Sequence, residues 1–528
     1  MSTGAQIIVS ELERAGVSVC FGLPGVHNLA LWAALRESSI RLVGVRHEQA
    51  AAYAADGYAR ATGRLGVALT TTGPGAANTL GAVGEAWASR SPILVIATDI
   101  PSTLRRPHEY RGILHETDGQ AAMFAPVVKS VHLGLSADAV APATRDAVRA
   151  AAVAPTRPVY LEIATDLLAA EVPEPGPSRA PLIELTPDLS EASALLERAQ
   201  RPLIWAGGGA RDAGAAVRGL AERLGAPVLT TYGAAGILPP GHPCLVGLPP
   251  HVEAAGRLWD EADVVVAIGS DLDGIQTQNF AQPQPETLVA IGLERPTNYR
   301  VDVFVNGDAA LCVELDLRDR GVTPNLAALR AEACAGLDET ALRFMDAIRF
   351  AVPSDGVVVA DMCIPGYWLA GFHTPPAPRR LQVPLGWGTL GYAFPAALGA
   401  ALAGTGPVVS VSGDGGFLFA CGELATMAQE QIPLTAVIVD DGGYGMLRYD
   451  QVLAGSETFG VDLHTPDFEA LAGSFGVWAE SVDGLDDAFG EALARHVALD
   501  SPSVLVARTP QPLVPPPNTS PNWYRRRR

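Results

Sequence analysis

Two short apolar runs, 407–411 (PVVSV) and 434–439 (LTAVIV), each end in a loop of glycine and aspartate. The first runs into Ser412-Gly413-Asp414-Gly415-Gly416, the second into Asp440-Asp441-Gly442-Gly443-Tyr444-Gly445. Between Gly415 and Asp440 lie 24 residues, enough for one helix and a returning strand. Apolar runs of this length bounded by turn residues read as buried strands, and a strand–helix–strand repeat forces a parallel sheet. Both loops then stand at strand carboxyl ends, the edge at which open α/β sheets bind ligands. Glycines there expose bare backbone N–H groups and aspartate offers a hard oxygen donor, the two requirements of a metal-bound diphosphate. Asp414 and Asp441, with the backbone carbonyl of Gly443, are the candidate Mg2+ ligands.

The same rhythm runs through the rest of the chain. Helical patterns at 5–15, 26–35, 49–62 and 76–90 alternate with strand patterns at 18–22, 41–45, 66–71 and 92–98. A second unit has strands at 202–206, 227–231 and 263–269. The proline- and glutamate-rich stretch 170–181 reads as a linker, and 321–336 as a second boundary. With 528 residues the chain is too long for one core. Three doubly wound parallel-sheet α/β domains are therefore expected, at 1–170, 185–320 and 337–509, with an irregular tail at 510–528. Glycine-rich loops in the first and third units, 72–75 and 413–416, hint at duplicated halves.

Charge and cysteine usage narrow the function class. A formal net charge of −20 leaves no basic face for nucleic acid, the arginines at 525–528 being a local exception. The six cysteines are scattered without metal-ligand spacing and read as reduced thiols. No apolar run approaches a membrane span, and the first residues form an amphipathic pattern in place of a leader. A cytoplasmic protein with no membrane or nucleic-acid partner is expected.

Several segments together resemble the thiamine diphosphate enzymes, closest to acetolactate-synthase-like enzymes and 2-oxo acid decarboxylases. Beside the Gly413-Asp414-Gly415 and 440–441 pair stand Phe21-Gly22-Leu23-Pro24-Gly25, Arg46-His47-Glu48-Gln49, Thr72-Gly73-Pro74-Gly75 and Gly386-Trp387-Gly388-Thr389-Leu390-Gly391. The resemblance implies thiamine diphosphate and Mg2+ as cofactors. It makes Glu48 the carboxyl group that hydrogen-bonds the cofactor's aminopyrimidine and drives proton removal from the thiazolium carbon. Leu390 would be the bulky residue under the bent cofactor. Pro24, Gly25, Thr72, Gly388, Gly413, Gly415, Gly416, Tyr444 and Gly445 would line the rest of its site. His115 and Gln120 would handle substrate with Glu48, and His47 is a further candidate.

By the same resemblance the reaction is decarboxylation of a small 2-oxo acid, with transfer of the acyl carbanion to a second carbonyl. Simple decarboxylation or lysis of a 2-hydroxy ketone is the alternative, and a non-catalytic binding protein with the same fold a remote one. Glu48 and the diphosphate domain would come from different subunits, so a homodimer or homotetramer is implied. The chain departs from the family at four points. Asp440-Asp441 replace paired asparagines, and 446–450 carries no tryptophan. The paired histidines of pyruvate decarboxylases are absent. Gly292-Leu293-Glu294-Arg295-Pro296 replaces an acidic-proline turn, which argues against a structural FAD. Gly207-Gly208-Gly209 lacks a full dinucleotide fingerprint. Tyr444, Arg448, Tyr449 and Gln276 are the guess for a substrate pocket.

Overall fold

The structure is a computed structural model that describes residues 2–106, 108–173, 187–384, 386–517, 519 and 523–525. Most of the expected 170–181 linker and the last three arginines lie outside the described residues.

Three parallel sheets form three α/β domains, as expected. The first contains β1 (Val19–Gly22), β2 (Arg41–Gly44), β3 (Gly66–Thr70), β4 (Ile93–Asp99), β5 (Ser130–Gly134) and β6 (Val159–Ala164), in the order β2-β1-β3-β4-β6-β5. The central domain has β7 (Pro202–Ala206), β8 (Val228–Thr230), β9 (Val264–Ile268), β10 (Thr287–Gly292) and β11 (Val303–Asn306), in the order β8-β7-β9-β10-β11. The third has β12 (Val357–Ala360), β13 (Leu381–Gln382), β14 (Val408–Gly413), β15 (Leu434–Asp440), β16 (Trp478–Asp483) and β17 (Ser503–Arg508), in the order β13-β12-β14-β15-β17-β16. Counted within each domain, the first and third share the order 2-1-3-4-6-5, which supports the duplicated rhythm read from the glycine loops. In both, the strand order reverses beside the first strand, so the loops after strands one and three flank the crevice where such sheets bind ligands.

The first and third domains meet along two helices made of small residues, α1 (Glu48–Thr62) and α2 (Ala393–Ala401). A methyl group added at Gly57 would overlap the Ala396 carbonyl oxygen, and one at Gly399 the Ala54 carbonyl oxygen. The two backbones therefore touch at reciprocal glycines. Helix α1 buries its whole circumference, including Asp56 and Arg60, whose ion pair spans 2.9 Å, with Glu85 at 3.1 Å from the same guanidinium. It stops at Gly63, which takes the left-handed conformation (φ 74°) that glycine adopts without strain.

The central domain is pinned by charge. Arg90, at the end of the first domain's 80–90 segment, pairs with Asp271 at 2.8 Å and Glu294 at 2.6 Å, and Arg379 of the third domain pairs with Asp212 at 2.8 Å. Helix Ala327–Cys334 inside the 321–336 stretch packs Ala333, with Leu326, into the core around Trp205 and Trp259. Beyond Arg508 the tail has no regular element among the described residues. Leu513 enters the third domain's core, Trp368 Nε1 donates to the Val514 carbonyl at 2.9 Å, and Arg525 pairs with Asp260 of the central domain.

Helix limits differ from the sequence reading where side chains intervene. The 26–35 helix begins at Leu29, because Asn28 turns back to accept from the Gly25 N–H at 2.8 Å. The 76–90 helix is two, Pro74–Ala77 and Leu80–Ala88, broken where Asn78 reaches toward Glu48. Among the described residues no helix is long and apolar enough to cross a membrane, and all six cysteines are free thiols.

Candidate active site

The first corner of the site is built on the loops after β1, β2 and β3. His47 is extended (φ −146°, ψ 140°) and caps α1 by accepting the Gln49 N–H at its Nδ1, 3.1 Å away. Glu48 is thereby the first helical residue, where the helix dipole favours a carboxylate. It is buried, with Oε2 accepting from Asn78 Nδ2 at 3.0 Å. Its Oε1 lies over Gly75, where an added Cβ would stand 3.3 Å from it. Gly25 also lies against this corner, since a Cβ there would meet the Thr71 side chain at 2.6 Å. Pro24 is exposed beside it.

Gly73 takes φ +64° and its N–H donates to Gln120 Oε1 at 2.5 Å. Gln120 is itself buried. Its Nε2 lies 3.0 Å from the Thr98 carbonyl, 2.7 Å from the Tyr160 hydroxyl and 3.0 Å from Glu162 Oε2. Both ends of its amide are thus engaged by the protein, Oε1 by the Gly73 turn and Nε2 by Thr98, Tyr160 and Glu162. His115, in the left-handed region at φ 65°, sets its backbone against Gly73, and its Nδ1 is buried without a hydrogen-bond partner among the described residues. Its ring meets that of His27 edge to face at 5.3 Å, and His27 Nδ1 is 2.8 Å from Thr72 Oγ1. Burial, then the neighbouring His115, lowers the His27 pKa below the ordinary imidazole value. His27 was not singled out from the sequence, although it follows Pro24-Gly25 in the same loop.

The second corner lies on the loops after β12, β14 and β15. Asp414 begins the short helix Asp414–Leu418 and is fully buried. Its Oδ1 accepts the Gly415 N–H at 2.7 Å, while Oδ2 is buried with no partner among the described residues. Burial, reinforced by the charges of Asp441 and Asp440, pushes its pKa up to about 7. Burial raises Asp441 as well, against the opposing Arg448 guanidinium. Arg448 donates to the Asp441 carbonyl at 3.3 Å and the Gly442 carbonyl at 3.2 Å, and pairs with Asp462. Asp440 Oδ1 accepts the Gly442 N–H at 3.4 Å. Gly443 (φ 152°) has no room for a Cβ beneath the Val461 carbonyl, and Gly445 lies directly against Asp441 Oδ2. The Tyr444 ring covers Gly415, 2.6 Å from where a Cβ would stand.

Asp361, just after β12, is a second residue that sequence reasoning passed over. It is buried, accepts the Met362 N–H at 2.8 Å and the Gly391 N–H at 3.0 Å, and burial raises its pKa to about 6. Through Gly391 it holds the segment with Gly388 (φ 61°) and the half-buried Leu390, while Gly416 sits 3.0 Å, at its missing Cβ, from Asp361 Oδ2. Gly413 precedes Asp414 in extended conformation. Of the guessed pocket, Tyr449 packs on the third domain's core, and Gln276 is buried in the central domain on the loop after β9.

The second corner fits a divalent cation carrying a diphosphate. An orphaned buried carboxylate oxygen beside a second, half-buried carboxylate is destabilised until a cation neutralises both. Among the described residues no group of three or more His, Cys, Asp or Glu converges. Two carboxylates and a carbonyl would leave the remaining positions of a hard ion to ligand oxygens. In the central domain, the Gly207 and Gly209 N–H groups are taken by the Ile268 and Gly269 carbonyls, and a Cβ at Gly207 would collide with Gly269 and Ser270. The glycine turn is closed by its own neighbouring loop.

Comparison with known proteins finds a match for each of the three domains. Residues 2–123 match the N-terminal TPP binding domain of thiamine pyrophosphate enzymes, 189–315 their central domain and 363–507 their C-terminal TPP binding domain. A probable 2-ketoarginine decarboxylase of Pseudomonas aeruginosa is 36% identical over 509 residues, covering 92% of this chain and 90% of its own. A probable acetolactate synthase large subunit of Methanocaldococcus jannaschii is 29% identical over 97% of this chain and 93% of its own. An acetolactate synthase of Mycobacterium bovis is 31% identical, with 95% and 87% covered. With two crevices of matching strand order and three matching domains, the chain belongs to the thiamine pyrophosphate enzyme family.

Proposed function

We propose that the protein is a thiamine diphosphate- and Mg2+-dependent decarboxylase of a 2-oxo acid whose product is released by protonation. The observation that carries this reading is the meeting of Glu48, His27 and His115 at one crevice. Asp414, Asp441 and the Gly443 carbonyl would hold Mg2+ and with it the diphosphate, and Gly388 to Leu390 would support the cofactor's ring. When bound, the cofactor supplies a nucleophilic carbon that attacks the ketone and accepts the electron pair left by CO2. Glu48 would hold and release at its carboxyl group the proton of the cofactor's ring nitrogen, and Asn78, donating to Oε2, fixes the direction of that carboxyl group. His27, with Nδ1 2.8 Å from Thr72 Oγ1, can give a proton to the product at its other ring nitrogen while taking one back at Nδ1 from the Thr72 hydroxyl, so that the ring carries no net change. Gln120 holds the Gly73 turn beneath them.

The substrate class follows from similarity and charge. The 36% identical relative is named for 2-ketoarginine. The cleft beside the first corner is lined by Asp99, Glu109, Glu116 and Asp118 against Arg105 and Arg106. An excess of acid suits a 2-oxo acid with a basic far end. Two copies would complete each site, since exposed apolar side chains surround both corners: Val26, Leu29 and Leu114 at the first, Trp387, Leu447 and Phe459 at the second. Ligation to a second carbonyl is the second reading, favoured by the relatives named acetolactate synthase.

The test is a panel of 2-oxo acids, from pyruvate to the guanidino acid, given to cofactor-loaded protein, with CO2, aldehyde and 2-hydroxy-2-methyl-3-oxo acid measured together. CO2 and aldehyde in equal amounts, fastest for the basic acid, is the expected result. Acetolactate from pyruvate in an amount equal to the CO2, each half of the pyruvate consumed, would establish ligation instead, and no CO2 from any acid would refute decarboxylation.

A further inference from the structure

The loop that leads into Glu48 carries two backbone N–H groups, of Arg46 and His47, that lie beyond the end of β2 and before the first turn of α1. Neither strand nor helix supplies them with acceptors. One carboxylate from the third domain takes both. Glu423 Oε1 accepts the Arg46 N–H at 2.9 Å and the His47 N–H at 3.0 Å, and Oε2 stands 3.2 Å from the Arg46 nitrogen. The Thr426 hydroxyl donates to Oε2 at 2.6 Å. Glu423 is buried, at 1% exposure, and ends the 3-10 turn Cys421–Glu423. Two outer contacts keep the loop and the turn in register: Arg46 Nη2 donates to Gln429 Oε1 at 2.7 Å, and Arg41 pairs with Glu430 at 3.1 Å.

We propose that Glu423 is a positioning residue for proton transfer by Glu48. It fixes the peptide planes of Arg46 and His47, and those planes set the extended conformation of His47 from which the Glu48 side chain departs. The proposal rests on the reading of Glu48 as the group that exchanges a proton with the cofactor. It assigns to the third domain a part in the first domain's chemistry. The stretch that begins at Asp414 in the second corner ends, nine positions later, on the backbone of the first.

A merely structural docking role and a positioning role separate in their readouts. The experiment follows deuterium exchange at the reactive thiazolium carbon of bound thiamine diphosphate by NMR, in wild type, Glu423→Ala, Glu423→Asp, Glu423→Gln and Glu48→Gln. Cofactor affinity, kcat, KM and melting temperature are measured alongside. A carboxylate oxygen misplaced by about 1 Å costs up to about 100-fold in rate. Glu423→Asp, which keeps the charge but withdraws the acceptor, should therefore slow exchange and kcat by about tenfold or more, with KM and cofactor affinity nearly unchanged. Glu423→Gln still offers one oxygen to both N–H groups and should restore exchange to within about threefold of wild type. Exchange in Glu423→Asp equal to wild type would overturn the proposal, and so would loss of cofactor affinity in step with exchange. Should Glu423→Ala not fold, the Asp and Gln pair decides alone. Normal exchange in Glu48→Gln would refute the reading of Glu48 itself. Slow exchange there beside normal exchange in Glu423→Asp would refute only the positioning.

Discussion

Gly445→Ala isolates the metal corner from the stability of the fold. Gly445 opens the helix Gly445–Leu453, and its φ lies outside the left-handed region, so alanine is allowed by the backbone and gains up to about 1 kcal/mol of helix propensity. The added methyl group, however, would fall well inside contact distance of Asp441 Oδ2, with Ile364 Cδ1 at 3.4 Å on the other side. The obstacle is the far end of a side chain, so the backbone stays in place and the Asp441 carboxylate must swing aside by more than about 1 Å to regain a contact of about 3.5 Å. A displaced ligand or its supporting shell typically lowers metal affinity by about 10- to 100-fold, or about 1.4 to 2.7 kcal/mol. The melting temperature without cofactor should move by no more than about 2 to 4 °C. Calorimetric titration of thiamine diphosphate at low and high Mg2+ reads the effect: affinity should fall at low Mg2+ and recover when Mg2+ is raised. Asp441→Asn is the companion, because it keeps the oxygen while removing one charge from the Asp414, Asp440 and Asp441 group. It should bind cofactor with less dependence on Mg2+ than wild type. A Gly445→Ala protein with wild-type Mg2+ dependence would refute the assignment of Asp441 as a ligand.

Three further outcomes follow from the same geometry. Gly57→Ala would drive a methyl group into the Ala396 carbonyl oxygen, an atom of the backbone that cannot rotate away; it should cost about 3 kcal/mol or more, read by denaturant unfolding, and a loss below about 1 kcal/mol would contradict the close approach of α1 and α2. His27→Ala should lower the rate of aldehyde formation by about 100-fold or more with KM changed only severalfold, and an unchanged kcat would remove His27 from proton transfer. His251 is buried in the central domain, with Tyr232 Oη 3.2 Å from its Nε2, and burial lowers its pKa to about 4 from 6.5. Because the folded value lies below the unfolded one, its neutral form stabilises above pH 6.5, and that contribution is lost as pH falls toward 4. Wild type should therefore lose stability relative to His251→Gln across that window, and parallel stability profiles would show that His251 does not titrate there.

Much of this architecture was legible because its signals are local. The runs at 202–206 and 434–439 became β7 and β15 within a residue of the reading, since apolar strands bounded by glycine and aspartate need no distant partner to be recognised. The glycine loops after β3 and β14 were visible for the same reason. What stayed hidden depends on contacts far apart in the chain. Nothing near Asn78 announces that its amide breaks a helix in order to reach Glu48, 30 positions away. The partners of Gln120 were equally hidden, because only the fold brings Thr98, Tyr160 and Glu162 around its amide. His27 stands beside the recognised Pro24-Gly25, while Asp361 reaches the recognised 386–391 segment only through the fold, 30 positions away; a single histidine in a loop and a single aspartate carry no periodicity. Glu423 is the extreme case, bonded to backbone 377 positions earlier.

The reciprocal contact of α1 and α2 also bears on how such chains can be recombined. Where two helices meet backbone to backbone at Gly57 and Gly399, each surface is a mould of the other, and neither tolerates an added methylene from a different parent. Chimeras that exchange the first and third domains between relatives should succeed when residues 48–62 and 393–401 travel together and fail when a crossover separates them. Helix Gly445–Leu453 lies outside that mould, so exchanges there should leave the seam undisturbed.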